Sequence, residues 1–264
     1  MFIDLHCHIL PGIDDGARNL DQSLAMARIA VADGIKTSLA TPHHLNGAYH
    51  NPAESVRANL LRLAEALQRE SIPLQVLPGA ELHLVPELPE ALREGTAMTI
   101  ADRRRAVLVE LPVHHIPHGA EQVLEAILAQ GLTPVIAHPE RNSELRKKPE
   151  RLAQWVASGC LGQVTAQSCT GHFGRSAQQT ARLMIQAGSI HVVASDAHRD
   201  HRRVPVISSA LSPITKWTST ELATLLMQRF PADLADGRQP DTALLEDALP
   251  RRTRRRWSSL WLTP

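Results

Sequence analysis

The chain has 264 residues, 43% of them hydrophobic and 21% charged, with a formal net charge of +1. That length suits a single large α/β domain with a buried core, and near-neutrality excludes polyanion binding through bulk charge. An aromatic content of 3% argues against base-stacking platforms for single strands, so no nucleic-acid partner is expected.

The 14 histidines stand apart from this ordinary composition. Imidazole is the commonest protein metal ligand near neutral pH, so the surplus points to a metal site. Cys7, Cys160 and Cys169 form no CxxC pair and leave an odd thiol, which fits a reducing cytoplasm. The opening MFIDLHCHIL has no basic start and no long apolar run, so no secretory signal is expected. No stretch approaches the roughly 18 apolar residues of a spanning helix, and a soluble cytoplasmic protein is the expectation.

In chain order, a strand over residues 2–6 ends in His6-Cys7-His8, and a helix over 20–32 closes at Gly34. A strand at 37–41 runs into Thr41-Pro42-His43-His44, and a helix covers 52–70. A strand at 74–80 leads to Glu81, and one at 106–111 carries Glu110. After a helix at 121–130 closed by Gly131, a strand at 133–137 runs into His138-Pro139-Glu140-Arg141. A helix at 149–158 closed by Gly159, a strand at 161–166 and a helix at 176–187 closed by Gly188 follow. The last strand, 190–194, runs into Ser195-Asp196-Ala197-His198. Glycine after each apolar-periodic run is the left-handed C-cap signal.

Strands alternating with helices imply βαβ units and a parallel sheet. Seven strand-like runs predict a distorted (β/α)7 barrel, with an open doubly wound sheet as the alternative. One domain is expected over residues 1–232. Residues 233–264 read as an extension, ending in the basic run 251–256 (RRTRRR) with Trp257 and Trp261. That tail suits an anionic membrane surface or an acidic partner, although a solvated terminus is the plainer reading.

In a parallel α/β barrel the C-terminal strand ends share one face, and the active site lies there. Six strand ends thus deliver His, Asp or Glu to one mouth. His6 and His8 are two apart on an extended segment, so both point one way and Cys7 points into the core. Asp196 and His198 repeat that spacing, and in a closed barrel the first and last strands would bring the two pairs together. Nitrogen and carboxylate donors without thiolate suit manganese, iron or zinc, and a carboxylate such as Glu81 can bridge two ions.

These stretches resemble the PHP (polymerase and histidinol phosphatase) superfamily. Within it the chain is similar to bacterial tyrosine-protein phosphatases of the CpsB/YwqE type, encoded with capsule and exopolysaccharide synthesis. The run His8-Ile9-Leu10-Pro11-Gly12-Ile13-Asp14-Asp15-Gly16 is the most specific part of the match. The resemblance implies a PHP-type barrel with up to three divalent metals, usually manganese. It implies that His6, His8, Glu81 and Asp196 hold the first metal. Glu81, Glu110 and His138 would hold the second, and Asp15, His43 and His198 the third, Asp15 being chosen over Asp14 from motif alignment. Arg141 resembles the family's phosphate-binding arginine, and Arg203 is a second candidate. The implied substrate is a phosphotyrosine protein, the bacterial tyrosine autokinase that controls polysaccharide export. A hydroxide held between two metals would attack phosphorus in line.

Several alternatives stay open at this stage. Cys169 and Arg175-Ser176 fit the Cys-x5-Arg-Ser signature of thiolate phosphatases. The same superfamily contains histidinol-phosphate and other small-phosphoester phosphatases, and a metal-binding partner without turnover would keep the same ligands. The loop over residues 45–51, with the only tyrosine, Tyr49, reads first as a surface loop, with the shaping of a phosphotyrosine pocket as the alternative. His114, His115 and His118 read as solvent-facing.

Overall fold

Short Val-, Ile- and Leu-rich runs between amphipathic helices build parallel strands from the first residues onward. The computed structural model describes residues 1–249; the basic tail with Trp257 and Trp261 lies outside them. The strands are β1 (Phe2–Cys7), β2 (Ile35–Ala40), β3 (His43–His44), β4 (Gln75–Pro78), β5 (Glu81–His83), β6 (Ala106–Glu110), β7 (Thr133–Ala137), β8 (Leu161–Thr165) and β9 (Val192–Ala194). They form a three-stranded sheet, β1-β2-β4, and a six-stranded sheet, β3-β5-β6-β7-β8-β9. Every pairing is parallel, so all C-terminal strand ends lie on one side.

The ladders among the described residues do not close into one barrel. Two predicted strands are each broken in two. The run at 37–41 ends at Ala40 and resumes as His43–His44, and the run at 74–80 ends at Pro78 and resumes at Glu81. The cause is local. Pro42 and Pro78 have no N–H to give a ladder. A Cβ on Gly79 would meet Thr41 Cγ2 at 3.2 Å and Ala40 O at 3.3 Å, a crowded contact that glycine relieves where the two chains pass. Thr41 Oγ1 accepts from Cys7 N at 3.0 Å in place of a ladder bond. At the other edge, Asp196 N donates to His6 O and His8 N donates to Ala197 O, both at 2.8 Å. The first and last strands are therefore neighbours at the level of the polar strand ends.

Side chains alternate between two apolar clusters, as a sheet buried on both faces requires. Leu5, Leu39, Leu108, Val135, Leu161 and Val192 share an inner cluster drawn from both sheets. Val107, Val109, Ile136, Val164 and Val193 face the surrounding helices. Leu234 and Ala235 of the helix Phe230–Ala235 join the inner cluster, as do Ile100 and Ala101. The five predicted helices are all present, and Gly34, Gly131, Gly159 and Gly188 have φ of 88°, 74°, 108° and 72°. Short helices at Leu88–Glu94, Leu211–Trp217, Thr220–Thr224 and Ala243–Ala248, besides Phe230–Ala235, are additional to the prediction. Leu88–Glu94, Leu211–Trp217 and Ala243–Ala248 are each too short to show a clear period, whereas Thr220–Thr224 and Phe230–Ala235 are joined by the π-helical turn Leu225–Arg229, just before Pro231, which has no N–H to give. Among the described residues no helix is long and apolar enough to cross a membrane.

At the N-terminal end of the strands, Gly162 N donates to His191 Nδ1 at 3.2 Å while His191 N donates to Gly162 O at 2.8 Å. Burial lowers the His191 imidazole to about 4. The folded chain thus keeps this ring neutral, whereas the unfolded chain protonates it below its ordinary value of 6.5. Stability is lost as pH falls through this window, by about 3 kcal/mol in full. His191→Asn, which keeps an acceptor for Gly162 N, should flatten the loss between pH 6.5 and pH 4 in urea melts; an unchanged acid limb would refute this origin.

Candidate metal centre

The paired strand-end residues converge as their spacing requires. His6 Nε2 and His8 Nε2 are 3.2 Å apart, with Cys7 between them fully buried in the apolar core. Glu81 Oε2 lies 3.2 Å from His6 Nε2, 3.3 Å from His8 Nε2 and 3.0 Å from His43 Nδ1. Its other oxygen is 2.8 Å from His138 Nε2. Asp196 Oδ1 lies 3.3 Å from His6 Nε2, and the His8 and His198 rings have centroids 3.9 Å apart. Asp15 Oδ1 is 3.4 Å from both His43 Nε2 and His198 Nε2. Glu110 sits at the edge, 3.5 Å from His43 and 3.8 Å from His138.

All nine residues named as ligands from the sequence therefore meet at one opening. Their nearest grouping differs from the expected one. Atoms within 4.8 Å of one another fall into His8, Asp15, His43 and His198; His6, Glu81, His138 and Asp196; and His43, Glu81 and Glu110. His8 leans toward the Asp15 group and His138 toward the His6 group. The reason is Glu81, whose two oxygens reach both sets.

Whether these residues fit divalent cations is tested by what is left unpaired. Glu81 Oε2, Asp196 Oδ1 and His43 Nδ1 are buried and, although other polar atoms lie 3.0–3.3 Å away, make no aligned hydrogen bond among the described residues. Unpaired buried polar atoms are costly, and here they face one another. The ring tautomers agree. His6 Nδ1 donates to Gln163 Oε1 at 3.0 Å, and His8 Nδ1 donates to Asp14 Oδ2 at 2.7 Å. His198 Nδ1 donates to Asp196 O at 3.1 Å. With Nδ1 occupied as N–H, each Nε2 offers its lone pair to the centre, the usual outer support of a metal-binding histidine. The residues fit the group.

The charges agree too. Burial raises the Glu81 carboxyl, but His6, His138 and His43 outweigh it and hold it well below the usual range. Burial likewise opposes Asp196, and His6, Arg203 and Arg141 hold it well below the usual range. Burial works against charge on His43, yet Asp15 and Glu81 hold it up at about 10. His198 is brought down to about 4 by burial and by His8. The carboxylates are thus ionised and keep protons on nearby imidazoles. A cation entering here displaces those protons.

Backbone conformation marks the same place. His138, Asp196 and Arg203 have φ of 31°, 50° and 50°. Left-handed backbone at a residue other than glycine costs about 1–3 kcal/mol and clusters at functional sites. Arg141 Nη1 and Arg203 Nη2 both donate to Asp196 Oδ2. Phe173 holds them together, its ring centroid 4.8 Å from the Arg141 guanidinium carbon and 6.0 Å from that of Arg203. Asn142 anchors the Arg141 turn by accepting from Glu144 N and Leu145 N and donating to Pro112 O and His115 O.

Some participants escaped sequence reasoning. Asp14 is no member of the groups; it accepts from His8 Nδ1, Gly16 N and His43 N. A Cβ on Gly16 would lie 2.2 Å from His8 O, so glycine is needed for this loop to reach His8. His83 has Nδ1 3.5 Å from Glu110 Oε2. The spacing of Glu81 and His83 repeats that of the two recognised pairs, so the same alternation signal could have found it. Gln163, Phe173 and Asp4 left no such signal. Asp4 accepts from Ser195 N and Ser195 Oγ and is raised to about 6 by burial. The Cys169 alternative fails: the thiol is fully buried, and burial together with Glu140 pushes it up, away from the thiolate a nucleophile needs. His114, His115 and His118 are exposed, as expected.

The family described as "Capsular polysaccharide synthesis, CpsB/CapC" matches residues 2–235. The chain belongs to this family. Its relatives among known proteins include the tyrosine-protein phosphatase YwqE of Bacillus subtilis, 41% identical over 226 residues, covering 86% of this chain and 89% of that one. The tyrosine-protein phosphatase CpsB of Streptococcus pneumoniae is 30% identical over 219 residues, covering 81% and 90%. A chain from the crystal structures of YwqE from Bacillus subtilis and CpsB from Streptococcus pneumoniae, described as unique metal-dependent tyrosine phosphatases, superposes with a TM-score of 0.86 at 39% identity, covering 90% of this chain and 95% of that chain.

The outer support generates a prediction of its own. Gln163→Leu and Asp14→Asn should each weaken manganese binding about 10–100-fold with the fold retained, read by titration calorimetry. The same titrations, repeated in buffers of different ionisation enthalpy, should report proton release. Unchanged affinity in both variants would remove Gln163 and Asp14 from the account.

Proposed function

We propose that this chain is a metal-dependent protein-tyrosine phosphatase acting on the bacterial tyrosine kinase that regulates capsule or exopolysaccharide synthesis. The observation that carries this reading is the ring of imidazoles and carboxylates around Glu81, with two guanidiniums at its rim, in a chain 41% identical to YwqE.

His6, His8, Glu81 and Asp196 are assigned to one divalent ion, Glu81, Glu110 and His138 to a second, and Asp15, His43 and His198 to a third. Manganese is the first choice, with iron and zinc as substitutes. The converging strand ends support a distorted (β/α)7 barrel of PHP type over residues 1–232, with 233–264 as an extension. Three free, buried cysteines suit a cytoplasmic location.

When bound, such ions supply Lewis acidity and a nucleophile at neutral pH. Arg141 and Arg203 bind the phosphoryl group through paired N–H donors, the geometry in which guanidinium meets phosphate oxygens. Phe173 keeps both guanidiniums over the opening, so little reorganisation accompanies binding. Tyr49, whose ring lies 11° from parallel with His43 at 6.0 Å between centroids, walls the side where the phosphotyrosyl ring enters. A tyrosine phenolate leaves with a conjugate acid of pKa about 10, so departure demands less protonation than an alkoxide. Exclusion of the Cys169 thiol leaves no protein nucleophile in this scheme.

With manganese, the purified chain should hydrolyse p-nitrophenyl phosphate and a phosphotyrosine peptide, and prefer that peptide to histidinol phosphate. EDTA should abolish the activity, and Cys169→Ser should leave it near wild type. Preference for histidinol phosphate would reassign the substrate, and tight metal binding without turnover would make the chain a binder. Arg141→Ala should lower kcat/KM about 10²–10³-fold with metal content unchanged.

A further inference from the structure

The whole chain carries +1, and five of its arginines lie at 251, 252 and 254–256, so residues 1–249 carry a formal −4. Within that acidic body the mouth is lopsided. The segments at 8–19, 41–52, 84–87 and 111–119 hold a single lysine or arginine, Arg18. The segments following β7, β8 and β9, which are neighbours in one sheet, hold the rest.

After β7 come Arg146, Lys147 and Lys148, within two helical turns of Arg141. After β8 comes Arg175, exposed at the start of the helix Arg175–Gln186. After β9 come Arg199 and the exposed Arg202, beside Arg203. Phe173 proves the three segments contiguous, because it lies on the middle one and touches a guanidinium from each side.

Most acids beside this arc are engaged elsewhere; Glu150, exposed two residues after Lys148, is the exception. Glu140 is buried and accepts from Thr165 N and Ser168 Oγ; Glu144 pairs with Arg151, and Asp200 with His201. Among the described residues, Arg146, Lys147, Lys148, Arg175 and Arg202 have no carboxylate within ion-pair distance. Like charges gathered without counter-charges raise the energy of the free protein, and an acidic ligand relieves it.

Resting on the phosphatase reading above, we propose that this arc is a docking surface for acidic residues flanking the phosphotyrosine of a protein substrate. It selects segments rich in Asp and Glu before the phosphoryl group is seated. A nucleic acid fits less well. The arc spans three loops around one opening, its only aromatic ring is already covered by arginines, and the body behind it is negative.

The test uses the full chain with manganese, a phosphotyrosine peptide flanked by glutamates, and the same peptide flanked by serines. The acidic peptide should show about 10-fold higher kcat/KM, a gap that narrows in about 0.5 M salt. The triple variant Lys147→Gln, Lys148→Gln, Arg175→Gln should close most of that gap and leave p-nitrophenyl phosphate hydrolysis unchanged. The tail is intact in every variant, so the loss is read from the loops. Fluorescence anisotropy of both peptides without metal should give the same ranking. Equal handling of the two peptides, or a gap that survives the triple variant, overturns the inference. So does an oligonucleotide of equal charge that competes as well as the acidic peptide. If no phosphate ester turns over, the phosphatase reading fails alone, and anisotropy still decides the arc.

Discussion

Glu81 is the constraint on which the rest of this molecule depends. Its carboxylate is buried at the start of β5, and its two oxygens touch imidazoles delivered by the ends of β1, β3 and β7. A buried, ionised carboxylate is costly unless it is surrounded by partners. Several segments at this face hold those partners in place. The turn through Gly16 brings Asp14 under His8, Gln163 on β8 fixes His6, and the left-handed backbone at His138 and Asp196 aims those side chains inward. Buried polar atoms without an aligned hydrogen bond gather at the opening, while apolar side chains fill both faces of the sheets behind it.

This division of labour connects fold to chemistry. Parallel strands place all C-terminal ends on one side. Donor atoms from strands remote in sequence then meet, and the loop after β1 adds Asp15. The arginines have further support. Arg141 is fixed by the Asn142 cap, Arg203 by its left-handed backbone, and both by the Phe173 ring. The proposed metal and phosphate ligands are thus tied together: Arg141 N donates to His138 O, His198 N donates to Arg203 O, and both guanidiniums donate to Asp196.

Much of this was legible in the sequence, for identifiable reasons. The His6/His8 and Asp196/His198 spacing fixes direction on an extended chain, and each pair stands beside a polar strand end. Parallel topology and the glycine-capped helices followed from alternation and turn chemistry. The strand breaks at Pro42 and at Pro78-Gly79 were present as residues, but their effect depends on how closely the two chains pass, which pattern does not show. Gln163, Phe173 and Asp4 were invisible because their roles come from tertiary neighbours. His83 was visible and overlooked. The Cys169 motif showed the opposite failure, where a chemically plausible string folds into a buried, unreactive thiol.

Glu81 is the residue proposed to link the divalent ions when they are bound. Crystals grown with manganese and measured at its absorption edge test this most directly. Anomalous peaks bounded by Glu81, His6, His8 and Asp196, with further density beside His138 and between Asp15 and His198, are the predicted result. Catalytically active crystals with no anomalous density within coordination distance of Glu81 would contradict it.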